Sequence, residues 1–391
     1  MSQRIFLIAA ESSGDALGAD LAHALRRRDA ALELMGVGGP LMNAAGIPSQ
    51  VDIAGLAILG FVDGLLAYGR VKRAVNEAVA AILAAKPDAV VLIDSWGFTL
   101  RVAHGVRAAA PHIKLIKYVG PQVWATRPGR AKTLAAAVDH LICIHDFEVP
   151  YYAPYGLACT VCGHPALGRH KPGDAAAFRA RNAVAAGDKL LLILPGSRAS
   201  EIRRVGPTLW RAAARLQQQR RDLRLMVVVA DAVREAVLAQ TPPQALIVHE
   251  REKEDAFAAA IAAIAASGTV TTEVALQETP VVVGYKLGWI TWAVARLFLF
   301  KGTYVTLMNV AVNKEVAPEL LQTKFTPARI AAATAPLLDD ADARAAQVRA
   351  QDEALARMGR GATPASEIAA DAVLRVMKNG GPIAEAAASS R

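Results

Sequence analysis

The chain opens with an apolar run, RIFLIAA, that breaks at a small-residue turn, ESSGD, and passes into the helical pattern ALGADLAHALRRR. Strand, tight turn and amphipathic helix in that order form the first unit of an α/β domain. A strand buried on both faces needs helices to cover it, which restricts the fold to a layered one. The same grammar recurs: LELMGVG, DAVVLID, IKLIKYV and HLICI read as further strands, with helical stretches such as VKRAVNEAVAAILAAK between them. A doubly wound parallel sheet is therefore predicted for the first part of the chain.

The periodicity lapses over GHPALGRHKPGD, Gly163 to Asp174, where Gly and Pro punctuate the sequence and a linker is predicted. It restarts with KLLLILPGSR, then RLMVVVAD, ALIVH and TPVVVG as strands. The Ala-rich AFAAAIAAIAA, Ala256 to Ala266, is predicted as helix from its intrinsic propensity. Two α/β halves in tandem result, and 391 residues suit two cores better than one. A helical region from about Pro327 to Met377 follows, and NGGPIAEAAASSR reads as a disordered tail.

Lys and Arg number 44 against 35 Asp and Glu, a net charge of +9 that favours anionic partners, although a solvated surface explains it as well. At 53% hydrophobic the chain is not intrinsically disordered. Three cysteines cannot build a disulfide framework, and MSQRIFLIAAESSGD lacks a cleavage site, which points to a reducing cytoplasm. VVVGYKLGWITWAVARLFLF, residues 281–300, has the length of a membrane span, but Lys286 and Arg296 interrupt it. A buried strand, Val281 to Val283, with a separate amphipathic helix from about Trp289 fits better.

Sheets of this kind bind ligands at the carboxyl ends of their strands, so the turns there carry the candidate residues. The turn Glu11, Ser12, Ser13, Gly14, Asp15 could hold an anion at a helix N-terminus, and helix capping by Ser12 or Ser13 explains it equally well. It lacks G-x-G-x-x-G, and Gly36, Gly38 and Gly39 end a later strand, so a dehydrogenase reading is weak. Asp94 ends DAVVLID, where a partly desolvated carboxylate can act as a general base or simply cap a turn. Gly196, Ser197 and Arg198 combine a tight turn with a guanidinium fork suited to pyrophosphate. Ser267, Gly268 and Thr269, with Glu273 one helical turn on, could meet phosphate and ribose, or cap the next helix.

Cys159, Cys162 and His164 are too few for a zinc site and read as buried thiols beside a histidine. Asp339, Asp340 and Asp342 open a helix, where carboxylates favour the macrodipole, so no metal is expected there. His145, His164 and His249 lack a triad, which leaves Ser-His-Asp hydrolysis unsupported.

Taken together, AESSGD, VGGPLM, LGFVD, LIDSWGF, YVGPQVWATRPGR, GHP, LPGSRASEI, SGTVTTE, VVGYK and NVAVNKEVAPELLQ resemble the lipid-A-disaccharide synthase family in order and spacing, over nearly the whole chain. The resemblance implies the GT-B fold, an α/β class with two Rossmann-like domains facing a cleft and a C-terminal helix crossing back. Boundaries follow at 1–165 for an acceptor and membrane-facing domain, 166–345 for a UDP-sugar domain, 346–378 for the returning helical segment and 379–391 for the tail.

It also implies inverting transfer of 2,3-diacylglucosamine from UDP to 2,3-diacylglucosamine 1-phosphate, giving the β-1,6-linked disaccharide. Asp94 and Arg198 match the family's critical Asp and Arg. Ser197, Ser267, Gly268, Thr269 and Glu273 go to the nucleotide site, with Asn309 and Glu315 in a motif near it. Where the family often has a second Asp before Phe98, this chain has Gly97, so Asp94 is the sole acid of its motif, with Glu11 and Asp15 as rivals for the base. No metal or cofactor is expected, since Arg198 and backbone donors can stabilise the leaving UDP.

Lipid substrates imply contact with the anionic inner membrane from its cytoplasmic face. Phe61, Val62, Leu65, Leu66, Tyr68, Arg70, Val71, Lys72 and Arg73 supply the mixture of apolar and basic side chains this needs. A homodimer is left open, and nucleic acid is not an expected partner. Two other readings are a UDP-sugar 2-epimerase on the same fold, separated by its product, and a non-catalytic basic protein of the membrane surface, separated by UDP binding.

Overall fold

The computed structural model describes residues 3–53, 61–124, 126–168, 170–286 and 303–378, apart from the side chains of Ser12 and of residues 61–68. The chain divides into two compact units, one built from the residues up to Gly168 together with those after Gly361, the other from the residues between.

Six described strands form the first sheet: β1 (Arg4–Ala9), β2 (Glu33–Val37), β3 (Ala89–Ile93), β4 (Lys114–Tyr118), β5 (His140–Cys143) and β6 (Ala158–Val161). Their order is β2-β1-β3-β4-β5-β6, all parallel. Alternate residues point to opposite faces, and both faces are covered. Phe6, Ile8, Val90 and Leu92 share a core with helices Phe61–Ala85 and Trp96–Ala109. Ile5, Leu7, Val91 and Ile93 share another with helices Ser12–Arg28 and Ala365–Lys378. Each such side chain contributes about 1.5–3 kcal/mol of burial, which is why these strands read as unbroken apolar runs.

The last helix completes the first unit. Ala369, Ala370 and Val373 lie in one core with Leu21 and Leu25. The Arg28 guanidinium reaches Asp371 at 2.9 Å and the Glu367 carbonyl at 2.8 Å. These contacts are partly exposed and contribute little, so packing holds the helix.

The second unit holds β7 (Lys189–Leu194), β8 (Leu223–Val229), β9 (Leu246–His249), β10 (Ala262–Ala266), β11 (Val281–Tyr285) and β12 (Glu319–Leu321). They are parallel in the order β12-β11-β10-β7-β8-β9. Here the structure corrects the Ala-rich helix. Helix Lys253–Ala259 ends early, and Ala262–Ala266 is a central strand pairing with β7 and β11, all five residues buried. Alanine's helix preference is worth only tenths of a kcal/mol per residue, and a central slot that aligns backbone donors on both edges overrides it.

The return to the first unit also begins later than residue 346. Helix Ala341–Arg357 belongs to the second unit, where Gln351 accepts from the Val281 N–H at 3.2 Å and donates to the Thr279 carbonyl at 3.1 Å. The helix expected from Trp289 and the tail from 379 lie outside the described residues. Among the described residues no helix is long and apolar enough to cross a membrane.

Candidate functional site

Strand order fixes where ligands can sit. In the first sheet the chain steps from β1 outward to β2, then returns to the other side of β1 as β3. The loops after β1 and β3 therefore diverge and leave a crevice at their carboxyl ends. Ser13 follows β1 and Asp94 follows β3, and the Ser13 hydroxyl donates to Asp94 Oδ2 at 2.8 Å. Asp94 and Ser95 have φ of 47° and 41°, a left-handed pair that turns the chain sharply from strand into helix Trp96–Ala109. Two atoms of the next strand hold that turn. The Tyr118 carbonyl accepts the Asp94 N–H at 2.9 Å, and the Lys117 ammonium donates to the Asp94 carbonyl. Thr99 Oγ1 reaches the same carbonyl at 2.9 Å.

Lys117 is 2% exposed, and burial pushes its pKa down to about 7, against the opposing pull of Asp94 and Glu11. Neither Lys117 nor Thr99 was singled out in the sequence. The available signal was a lysine inside a parallel strand, where both faces are normally apolar.

The other residues of the first turn do different work. Asp15 is 4% exposed, with both carboxylate oxygens engaged by the N–H groups of Gly39, Leu41 and Met42 at 2.8, 2.9 and 2.9 Å. It anchors the GGP loop and caps helix Pro40–Ala44, so both its oxygens are committed to main-chain N–H groups. Gly14 lets the helix approach the sheet, since a Cβ there would stand 3.3 Å from that of Ala9. Glu11 is the N-cap residue of Ser12–Arg28 and acts on Lys117 by charge. The Ser12 side chain lies outside the described residues.

The second sheet has its crevice between β7 and β10, and a cavity of about 270 Å³ opens there within the second unit. Gly196, Ser197, Thr269 and Glu273 line it together with Glu250 and Lys253. Gly196 has φ of 124°, and a Cβ there would meet the Glu201 carboxylate at 2.3 Å, so only glycine fits. That carboxylate accepts the Ser197 N–H at 3.1 Å and fixes the turn. Arg198 is exposed at the N-cap of helix Ala199–Gln217, where first-turn N–H groups add partial positive charge. Ser267 and Gly268 stand between β10 and the Thr269 wall, with the Gly268 carbonyl accepting from Thr271 Oγ1 at 2.8 Å.

Lys253 and Glu273 form an ion pair at 2.8 Å on the cavity wall. Burial works against the Lys253 charge, but Glu273, helped by Glu254 and Glu250, outweighs it and leaves the pKa raised. Lys253 was missed because it precedes the Ala-rich run, which sequence reading assigned to one long helix.

Asn309 and Glu315 are not brought to this cavity. Asn309 is fully buried and ties its own loop together, accepting from Val316 and Ala317 N–H and donating to the Ala317 carbonyl and Glu319. Glu315 accepts the Glu319 N–H at 3.2 Å. Of the expected membrane residues, the side chains of Phe61, Val62, Leu65, Leu66 and Tyr68 lie outside the described residues, Arg70, Lys72 and Arg73 are exposed, and Val71 packs partly on the core. Cys143, Cys159 and Cys162 are free thiols on and beside β5 and β6.

Solved structures share this architecture. UDP-GlcNAc 2-epimerase from Neisseria meningitidis bound to UDP-GlcNAc matches with a TM-score of 0.61 at 9% identity, covering 96% of this chain and 100% of that one. MurG from Acinetobacter baumannii matches with a TM-score of 0.57 at 17% identity, with the same coverage. At these identities the likeness is one of fold, the GT-B fold that glycosyltransferases and epimerases share. Residues 5–373 match the lipid-A-disaccharide synthetase family, and the chain belongs to it. It is 39% identical over 379 residues to lipid-A-disaccharide synthase of Rhodospirillum centenum, covering 95% of this chain and 94% of the relative. Its activity is that of a lipid-A-disaccharide synthase, a glycosyltransferase of lipid A biosynthesis.

Proposed function

We propose that the two crevices divide the reaction between them. Asp94 accepts the proton of the acceptor's 6-hydroxyl as that oxygen attacks the anomeric carbon of UDP-2,3-diacylglucosamine. Arg198 and the Gly196–Ser197 turn stabilise the charge that grows on UDP as it leaves. The acceptor is 2,3-diacylglucosamine 1-phosphate, and attack from the face opposite UDP inverts the anomeric centre.

The observation that carries this reading is the Asp94 carboxylate held at the first switch point by Ser13. A base must be fixed before substrate arrives, and a left-handed turn locked from two sides provides that fixity. The cavity at the second switch point, with a glycine-restricted turn and a guanidinium beside it, suits a nucleotide diphosphate. UDP-bound relatives of the fold are consistent with this, and the family assignment disfavours the epimerase reading.

The membrane role belongs to the same proposal. Arg70, Lys72 and Arg73 extend outward from helix Phe61–Ala85 and suit the anionic cytoplasmic face of the inner membrane, from which acylated substrates are taken.

Single-turnover mass spectrometry with Asp94→Asn, paired with a UDP titration, tests the assignment. Turnover is expected to fall by roughly 10²–10⁴-fold with UDP affinity retained. A native rate in the variant would remove Asp94 as the base.

A further inference from the structure

A charged side chain inside a parallel strand has no surface to reach, and desolvation strongly disfavours it. Lys117 occupies such a position on β4 and is 2% exposed. Its Nζ donates to the main-chain carbonyl of Asp94 and to Thr99 Oγ1 at 2.8 Å, while the Thr99 hydroxyl reaches that carbonyl at 2.9 Å. On the other side of the same residue, the Asp94 N–H is bonded to the Tyr118 carbonyl. Consecutive residues of β4 thus grip both peptide groups of Asp94.

That grip acts where the backbone most needs it. Asp94 and Ser95 sit at φ of 47° and 41°, a region that residues other than glycine hold only when their surroundings over-determine it. Cα orientation in such a turn sets the direction in which the side chain leaves. We infer that Lys117 is a positioning residue for glycosyl transfer, its buried ammonium fixing the left-handed backbone at Asp94 and so aiming the carboxylate at the acceptor hydroxyl. This rests on Asp94 as the general base.

The electrostatics agree. Asp94, at the end of β3, and Glu11, after β1, are the charged groups that act on Lys117. Among the described residues, the side chains that line the small pocket beside it, Leu92, Trp96, Leu100, Ala103, Leu134 and Val138, are uncharged. With a pKa near 7, the ammonium is lost as pH rises through neutrality, which weakens its hold on the carbonyl and gives turnover an alkaline limb.

Lys117→Met keeps most of the bulk, one atom shorter, while removing the charge and its donors. The expected result is a fall in kcat of roughly ten- to a hundredfold, the scale of an ångström-size misplacement, with unchanged KM for both sugars and unchanged UDP affinity. The melting temperature should hold, since a well-packed apolar side chain replaces a buried charge, and the alkaline limb should vanish. Thr99→Val, which leaves the ammonium in place, should lower kcat less. Asp94→Asn is measured beside them. If Asp94→Asn turns over at the native rate, the base assignment fails. If Asp94→Asn is inactive while Lys117→Met keeps native kcat, or loses melting temperature and UDP affinity together with kcat, the inference fails and Lys117 is only structural.

Discussion

Ser13 donates its hydroxyl to Asp94 Oδ2 at 2.8 Å, joining the turn after β1 to the turn after β3 across the switch point of the first sheet. The bond restricts rotation of the carboxylate, which matters if Asp94 acts as the proposed base. Ser13→Ala should therefore lower kcat by about five- to tenfold, matching a net hydrogen-bond contribution of about 1 kcal/mol, and Ser13→Thr should recover most of it. Steady-state kinetics decide the matter, and an unaltered kcat in Ser13→Ala would show that the bond does not restrain the base.

The pair Lys253–Glu273 stands on the wall of the second-unit cavity. Lys253→Met frees the Glu273 carboxylate to swing, and Glu273→Gln removes the charge itself. Each should weaken UDP binding by about tenfold, or 1.4 kcal/mol, with little change in melting temperature because the pair is only partly buried. Calorimetric titration with UDP measures this; native affinity in both variants would mean the nucleotide sits elsewhere.

Arg70, Lys72 and Arg73 are exposed, so replacing all three with Gln should leave the fold intact. At about 1 kcal/mol per cation near an anionic bilayer, binding to anionic vesicles should drop by roughly a hundredfold at low salt. The native and triple-variant curves should converge as salt rises, because screening removes the difference. Equal sedimentation with anionic vesicles at low salt would exclude this face from membrane contact.

Acid should loosen the first unit below pH 6.5. Burial lowers the pKa of His140 to about 4 and that of His145 to about 3, so the folded state resists protons that the unfolded chain accepts at 6.5. Their stabilisation is complete above 6.5 and lost as pH falls toward 4 and 3. Glu148 opposes them: burial raises it to about 7, so its proton favours the folded state between 4.5 and 7. Two losses against one gain leave a net slope of about 1.4 kcal/mol per pH unit between 4.5 and 6.5. Urea titrations at pH 5 and 6.5 should show it, and His140→Gln should flatten it. A midpoint that does not move over that interval would mean that only one histidine shift operates against Glu148, and one that rises on acidification would contradict both.

Much of the architecture was legible because buried parallel strands announce themselves as unbroken apolar runs, and the residues just after them, Asp94 and Gly196 to Arg198, stand at carboxyl ends by construction. What sequence could not show was partnership across distance. Asp15 reads as a free acid at a ligand-binding turn, yet its partners are backbone N–H groups from Gly39 onward, and no local pattern links the two. Asn309 is likewise used within its own loop. The Ala-rich run failed for a different reason: alanine is small enough for a strand squeezed between two neighbours, and propensity carries no information about the slot waiting for it.

The helix Ala365–Lys378 closes the core of the first unit, although the rest of that unit ends at Gly168. During synthesis the first sheet must therefore wait for roughly 200 further residues, about 10–40 s at ordinary elongation rates, before its covering helix exists. Until then the apolar stripe of Ser12–Arg28 that includes Leu21 and Leu25 lacks its partner, a surface open to chaperones and to premature association. Completion of the first unit is thus timed by synthesis of Ala365–Lys378, and a chain stalled before Ala365 would carry a second unit with its cover and a first unit without one.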